Sequence, residues 1–382
     1  MAIERLAIKE FLAKSRGKVL LDVRSPGEYN HAHIPSATSF PLFTDEERKI
    51  VGTTYKQKSR EDAIKIGLDF FGPKMRKMVE EAEEIVGNWQ SAIGNKDDPN
   101  CKLPTANSVF LYCWRGGMRS AGVAWLLDLY GFKVYTLAGG YKAFRNYVLQ
   151  TFEQPFQFKV LGGYTGSGKT EVLNELEKNG EIVIDLEKIA SHKGSAFGAF
   201  KMPPQPKQEM FENLLAFELL EKSMVNGQWS MEDSDRLRND SPFTIHHSPI
   251  WLEDEAQRIG DLNLPNALWD NMRVSPIFFL EIPFEERLNH IVAEYGECEK
   301  EKLIDSTKRI SQRLGGLDTK NTIEFLEKGE IKEAFSILLR YYDKRYLNGL
   351  HNRENISSLL TKIQCDTVTP KNAALLTKPQ LV

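Results

Sequence analysis

Gly163-Tyr164-Thr165-Gly166-Ser167-Gly168-Lys169-Thr170 follows the apolar run Phe158-Lys159-Val160-Leu161 and leads into Glu171-Val172-Leu173. The eight residues match G-x-x-x-x-G-K-[ST], a loop whose backbone N–H groups cradle a polyphosphate. A strand before the loop and a helix after it are the context the motif needs, and they imply a parallel α/β sheet around it. Gly163, Thr165, Gly166, Ser167 and Gly168 form the cradle, Lys169 reaches terminal phosphate oxygens, and Thr170 is suited to ligate Mg2+. Charge-assisted hydrogen bonds are worth roughly 1.5–3 kcal/mol each, so several of them hold a diphosphate tightly.

A second anion loop lies upstream. Cys113-Trp114-Arg115-Gly116-Gly117-Met118-Arg119 follows the apolar run Val109-Phe110-Leu111-Tyr112. A catalytic thiol must ionise near neutral pH, and unperturbed cysteine titrates near 8.5. Nearby cations and a helix N-terminus lower that value. Arg115 and Arg119 supply the cations, and Gly116 and Gly117 let successive amides turn towards an anion. The plainer reading is a structural cysteine at a strand end. Two arginines and two glycines in seven residues argue for Cys113 as a catalytic group instead. A chain with both loops moves a chalcogen or phosphoryl-like group between small donors and a larger acceptor.

The loops sit in separate α/β units. Residues 1–150 carry short strands at 19–23, 109–112 and 133–137, with a helix from Ser120 to Tyr130. They are interrupted by a polar, helix-rich insertion at about 43–105 that ends in the loop 95–100. Residues 151–157 read as a linker. Residues 156–300 form the phosphate-loop domain, with strands at 158–162, 181–185, 249–253 and 277–281 and a substrate loop at 194–206. Residues 301–382 read as a helical extension whose tail after Thr367 lacks periodicity and is expected to be mobile. Asp185 and the run Glu253-Asp254-Glu255 end strands of the second sheet, where acids commonly bind metal or position a nucleophile; Asp185, Glu253 and Asp254 are the leading candidates. A solvated strand end is the plainer reading for each alone, and no metal site is certain. Among the histidines, His192 stands out, beside Lys193-Gly194-Ser195.

At 382 residues, 41% hydrophobic and 27% charged, the chain is long enough for two packed domains and an extension. No apolar run approaches the ~20 residues that cross a bilayer. Met1-Ala2-Ile3-Glu4-Arg5 opens without an apolar leader, so a cytoplasmic protein without membrane attachment is expected. Four cysteines without a C-x-x-C pair argue against a zinc site or a disulfide framework. The net charge of −3 does not advertise nucleic-acid binding. Basic residues nevertheless gather late in the chain: Lys308, Arg309 and Arg313, then Arg340, Lys344, Arg345 and Arg353, the second group interleaved with Tyr341, Tyr342 and Tyr346. Spacing of four puts 309 with 313, and 341 with 345, on one helix face. They are the candidate RNA footprint; a solvated helix face with core tyrosines is the alternative.

Asp22-Val23-Arg24, Glu28 and His33-Ile34-Pro35-Ser36-Ala37 resemble the opening signature of rhodanese-type sulfurtransferase domains, and Thr136-Leu137-Ala138-Gly139-Gly140-Tyr141 resembles their closing segment. Many rhodanese loops place arginine five residues after the cysteine. Here Arg119 follows Cys113 by six, a spacing similar to that of the dual-specificity phosphatases sharing the fold. Those enzymes carry histidine before the cysteine, where this chain has Tyr112, so a phosphatase stays open as an alternative.

A rhodanese-like domain followed by a phosphate-loop domain resembles the tRNA 2-selenouridine synthases. The resemblance runs from about residue 5 to 350. It is carried by Tyr112 to Ser120, His192 to Gly198, Trp251-Leu252-Glu253-Asp254-Glu255-Ala256-Gln257-Arg258-Ile259-Gly260 and Ile310-Ser311-Gln312-Arg313-Leu314-Gly315-Gly316. Residues 224–248 look longer than in that family. The resemblance implies a transferase that replaces sulfur by selenium at C2 of wobble 2-thiouridine. It would work through an S-geranyl intermediate, with geranyl diphosphate and selenophosphate as substrates and no tightly bound cofactor. It implies tRNAs for Lys, Glu and Gln as partners and allows a contact with selenophosphate synthetase. Phe197, Phe200, Met202, Met210 and Phe211 would then line a geranyl slot, although helical core is the plainer reading. Besides the phosphatase, two rivals remain at this point. One is a kinase or NTPase acting on ATP, fused to a rhodanese sulfur carrier. The other is a non-catalytic phosphate-binding module.

Overall fold

Short apolar runs separated by amphipathic helices pair in parallel, because each crossover helix covers a sheet face. A computed structural model of the chain, describing residues 3–93, 108–223 and 249–377, has this arrangement twice. The chain divides into units 1–150 and 151–382. The loop 95–100 and the segment 224–248 lie outside the described residues.

The first unit is a five-stranded parallel sheet in the order β1-β5-β4-β2-β3, formed by β1 Glu4–Leu6, β2 Val19–Asp22, β3 Thr38–Ser39, β4 Ser108–Tyr112 and β5 Lys133–Leu137. The Cys113 loop follows the central strand β4 and opens into the helix Met118–Tyr130. The insertion forms three helices, Asp45–Gln57, Arg60–Phe71 and Met75–Ile93. Thr44 caps the first of them by accepting from the Glu47 N–H while Glu47 reaches back to the Thr44 N–H. Phe71, Met78, Ala82 and Val86 bury into the same core as Val109, Leu111, Val123 and Leu127. The insertion is therefore part of the core of this unit, its glutamates 80 and 83–84 facing out.

The second unit is also five-stranded and parallel, in the order β12-β11-β6-β8-β7. Its strands are β6 Phe158–Gly163, β7 Ile182–Ile184, β8 Ile250–Glu253, β11 Ile277–Glu281 and β12 Leu360–Gln364; a small hairpin, β9 Arg258–Ile259 and β10 Leu262–Asn263, follows β8. Parallel strands end on one side of their sheet, so the phosphate loop after β6, Glu253 at the end of β8 and the turn after β7 meet there.

The region after 300 is helical, dominated by Gly316–Lys328 and Ile331–His351. It departs from the sequence pattern in two places. β12 adds a strand to the sheet edge, pairing Ile277 with Leu360 and Glu281 with Gln364. The tail expected to be mobile is packed as far as Thr377. Ala373 and Leu376 bury against Val172, Leu173 and Leu176 of the helix Lys169–Lys178. That segment passes from strand to turn to short helix, so no single period marks its apolar residues. Among the described residues no helix is long and apolar enough to cross a membrane.

Candidate active site

In the first unit, Cys113 is buried at the end of β4. Its Sγ accepts the Gly117 N–H at 3.3 Å and lies 3.2 Å from the Ser120 hydroxyl. That hydroxyl is also 3.0 Å from the Gly117 carbonyl. With one proton, it serves either the carbonyl or a thiolate. Burial alone would raise the thiol. Hydrogen bonds from Ser120, the charge of Arg119 and the Gly117 N–H outweigh it, and the thiol titrates below the usual cysteine value.

Arg119 is fixed by Glu28, whose Oε2 lies 2.6 Å from its Nη1. Arg115 stands exposed on the rim of the loop. The loop rests on the closing segment: the Tyr141 and Lys142 N–H groups donate to the carbonyls of Cys113 and Trp114 at 2.8 and 3.0 Å. Gly140, at φ +59°, leaves no room for a side chain, since a Cβ there would sit 2.2 Å from the Cys113 carbonyl oxygen. Beneath it, Arg24 pairs with Asp22 at 2.6 Å in full burial and lies 3.9 Å from the centre of the Tyr141 ring. Tyr112 is wholly buried, donates to Asp22 at 2.8 Å and accepts the Ile34 N–H. The residue that stands where the phosphatases have histidine is thus a structural strut.

In the second unit the phosphate loop floors a cavity of about 1490 Å3. Lys169 Nζ donates to the Gly163 carbonyl at 3.3 Å, within the loop it would release for a phosphate. Arg287 braces the loop from behind, donating to the Thr165 carbonyl at 3.0 Å and to both carboxylate oxygens of Asp343.

Beside the loop, Glu187, Glu253 and Glu255 each bring a carboxylate oxygen within 4.8 Å of the others. Thr170 Oγ1 donates to Glu253 at 3.0 Å and lies 3.5 Å from Glu187, whereas Glu253 Oε2 is buried with no hydrogen-bond partner. Burial, then repulsion from Glu255, pushes Glu187 up to about 8. Burial, then Glu253, pushes Glu255 up to about 8. Burial and the charges of Glu187 and Asp185 also raise Glu253. Gly194 at φ +63° lets the 192–198 loop lie on this cluster, since a Cβ there would be 2.5 Å from Glu255 Oε2. His192 lines the cavity with its Nδ1 buried and unpaired.

Around the rest of the cavity stand an apolar wall, including Phe197, Ile291, Ile310, Phe335, Leu338 and Leu339, and a basic rim that includes Arg309, Arg313 and Arg345.

A family model described as the tRNA 2-selenouridine synthase AAA domain matches residues 156–239 and 240–364, and a rhodanese-like domain model matches 7–147. Among full-length relatives, the tRNA 2-selenouridine synthase of Sulfurovum sp. (strain NBC37-1) is 33% identical, over 87% of this chain and 87% of its own. That of Hydrogenovibrio crunogenus is 36% identical over 78% of this chain and 76% of its own. That of Shewanella denitrificans is 34% identical over 78% and 71%. The chain belongs to the tRNA 2-selenouridine synthase family.

Against that family assignment, the expected site residues fall into place unevenly. Of the strand-end acids named in the sequence, Glu253 and Glu255 join the carboxylate trio. Asp185 instead caps the helix Leu186–Ala190, accepting the Lys188 N–H at 2.7 Å. Asp254 is taken by the Tyr346 hydroxyl at 2.5 Å and by Arg353. Glu187, which the sequence reading did not name, completes the trio in their stead. Of the basic residues, Arg309, Arg313 and Arg345 line the cavity. Arg340 lies over Phe284, and Lys344 is exposed on the same helix without lining the cavity. The expected slot is also redrawn. Phe197 and Met202 line the cavity, but Phe200 packs on Phe197 and Tyr295, and Phe211 is buried in the helix Gln208–Lys222 that also carries Met210. Three turns of the helix Ile331–His351 replace them, and a helical heptad-like pattern at 335, 338, 339 and 342 was the available signal.

Proposed function

We propose that the protein replaces sulfur by selenium at C2 of wobble 2-thiouridine in tRNA, in two steps served by its two anion sites. The observation that carries this reading is the dual lining of the phosphate-loop cavity. Loop amides and Lys169 suit a diphosphate, and the apolar wall suits a hydrocarbon rather than a ribose and base. Each buried CH2 contributes about 0.8 kcal/mol, so a prenyl chain gains where a nucleoside does not.

In the first step the thione sulfur attacks C1 of geranyl diphosphate. The C1–S bond forms, the C1–O bond breaks, diphosphate departs with the electron pair, and the base loses its N3 proton to solvent. Charge grows on the diphosphate in the transition state, where Lys169 and the loop amides stabilise it. The trio fits a hard divalent cation: Glu253 Oε2 is buried without a partner, and the Thr170 hydroxyl, donating to Glu253 Oε1 at 3.0 Å, adds an oxygen ligand beside it. Thr170, Glu187, Glu253 and Glu255 would hold Mg2+, which neutralises diphosphate charge when bound.

Alkylation turns sulfur into a leaving group and leaves C2 electrophilic. In the second step selenium of selenophosphate attacks C2, geranylthiol leaves after taking a proton, and water cleaves the P–Se bond to give phosphate. The Cys113 nest suits the tetrahedral donor anion, and the low-titrating thiolate assists selenium delivery. The acceptors are the tRNAs for Lys, Glu and Gln, and a selenophosphate synthetase is the natural supplier.

The test is to incubate the full chain with geranyl diphosphate and 2-thiouridine-containing tRNA, add selenophosphate, and follow nucleosides by mass spectrometry. A parallel reaction contains ATP. Gain of a geranyl group followed by exchange of sulfur for selenium supports the reading. Hydrolysis of ATP without alkylation would replace it by the kinase or NTPase alternative.

A further inference from the structure

Arg353 is only 5% exposed, yet its Nε and Nη1 have no hydrogen-bond partner; Nη2 pairs with Asp254. A buried guanidinium with unpaired N–H groups is costly unless a ligand completes it. Arg273 stands nearby, its Nη1 donating to the Gly349 carbonyl at 3.3 Å. Burial and the charge of Arg353 pull its titration down, and Asp254 is the carboxylate that opposes them. Two cations thus share one anion. The Arg273 guanidinium lies 5.6 Å from the centre of the Trp269 ring, and Trp269 is partly exposed. Trp269, Arg273 and Arg353 all line the cavity over the phosphate loop.

Tyr346 ties this corner to that loop. Its hydroxyl donates to Asp254 at 2.5 Å and accepts the Gly163 N–H at 3.3 Å. Whatever binds at Arg353 therefore sits next to the phosphate cradle and outside it.

We infer that this corner is the subsite for the acceptor nucleotide, with a nucleobase stacked on Trp269 and a backbone phosphate taken by Arg273 and Arg353. The inference rests on the proposed alkylation and deepens it. The attacked carbon is bonded to the diphosphate, so the nucleophilic base must enter beside the phosphate loop. An aromatic face with unbalanced guanidiniums is how proteins hold an unstacked base and its phosphate. A hydrocarbon would leave Arg353 Nε and Nη1 without acceptors, and a simple anion would leave Trp269 unused.

The experiment reads binding without turnover. Full-length wild type, Trp269→Ala and Arg273→Ala are titrated with a fluorescent anticodon stem-loop RNA carrying 2-thiouridine, and separately with inorganic diphosphate and with ATP. Each alanine variant should weaken RNA binding about tenfold, and Arg273→Ala should lower the salt slope by about 0.7. Affinity for inorganic diphosphate should stay within about twofold, the two ligands contacting different residues of the cavity. Trp269→Phe and Arg273→Lys should recover most of the RNA affinity, which a merely structural role would not predict. Unchanged RNA affinity in both alanine variants overturns the subsite. So does a loss for ATP or diphosphate as large as that for RNA, because the corner would then serve the phosphate-loop ligand. Failure of the alkylation assay with RNA binding behaving as described would count against the two-step reading and leave the nucleotide subsite standing.

Discussion

Glu187, Glu253 and Glu255 converge on Thr170, and replacing Glu255 by glutamine should change how stability responds to pH. Glu187 and Glu255 sit at about 8 in the fold against 4.5 for an ordinary glutamate. Their folded values are raised, so the folded state keeps protons that the unfolded chain has released. The associated stability is full below about 4.5 and is lost as pH rises through about 8. Each pH unit in that window costs about 1.4 kcal/mol per group at most. From pH 6 to 9 the ceiling for one group is about 3 kcal/mol. The two groups share one repulsion and keep some solvent access, which brings the combined loss to about 1–2 kcal/mol. For a unit of this size that is a fall in Tm of about 2–8 °C.

Glu255→Gln keeps a hydrogen-bonding side chain but removes one charge, so the fall should shrink by about half. Thermal melts from pH 6 to 9, in EDTA and in MgCl2, measure this. The difference between wild type and variant cancels other groups titrating in the range. Mg2+ competes with protons for the carboxylates, so its stabilisation should grow with pH and disappear in Glu253→Gln. A wild-type Tm that is flat or rising from pH 6 to 9 in EDTA would refute the reasoning. So would a Glu255→Gln profile parallel to it.

Cys113→Ser should abolish selenium incorporation yet leave geranylation intact; in companion alkylation-rate profiles, Ser120→Ala should shift the thiol midpoint upwards, since it removes a donor to the thiolate. Lys169→Ala should weaken inorganic diphosphate binding by about tenfold or more and stop alkylation, while tRNA supplied already S-geranylated is still selenated; loss on that substrate too would mean that the phosphate loop also serves the second step. The triple change of Arg309, Arg313 and Arg345 to alanine should lower the slope of log affinity for tRNA against log salt by about 2, and the pair Arg340 and Lys344, lying off the cavity, should lower it less; filter binding from low to high salt compares them, and equal slopes would remove the cavity rim from the tRNA footprint.

Both anion loops are legible in the chain because their geometry is local. Eight residues with glycines at fixed places turn their own amides inward, and flanking apolar runs reveal the strand before and the helix after. The rhodanese-like signature is legible as a pattern, but its physical content is not. Asp22 and Arg24 form a buried clamp under the loop, and Glu28 holds Arg119 from 91 residues away. The acids show the limit most clearly. Glu253, Asp254 and Glu255 are consecutive, but β8 ends at Glu253 and the chain turns tightly there, the Glu255 N–H donating to the Glu253 carbonyl at 3.0 Å. Asp254 therefore turns away to Arg353, 99 residues on, while its neighbours turn to the phosphate loop. Glu187 joins them through the pairing of β7 with β8, which sets Ile184 opposite Leu252. Asp185, the more obvious strand-end acid, is occupied in capping a helix.

The chain by itself therefore determines which reactive groups exist and which short loops present them: a thiol in an amide nest, a lysine in a phosphate cradle, and acids at strand ends. Tertiary structure decides which of those groups remain unpaired. Charges are neutralised by partners remote in sequence, and only the packed fold brings the partners within hydrogen-bonding distance or leaves them apart.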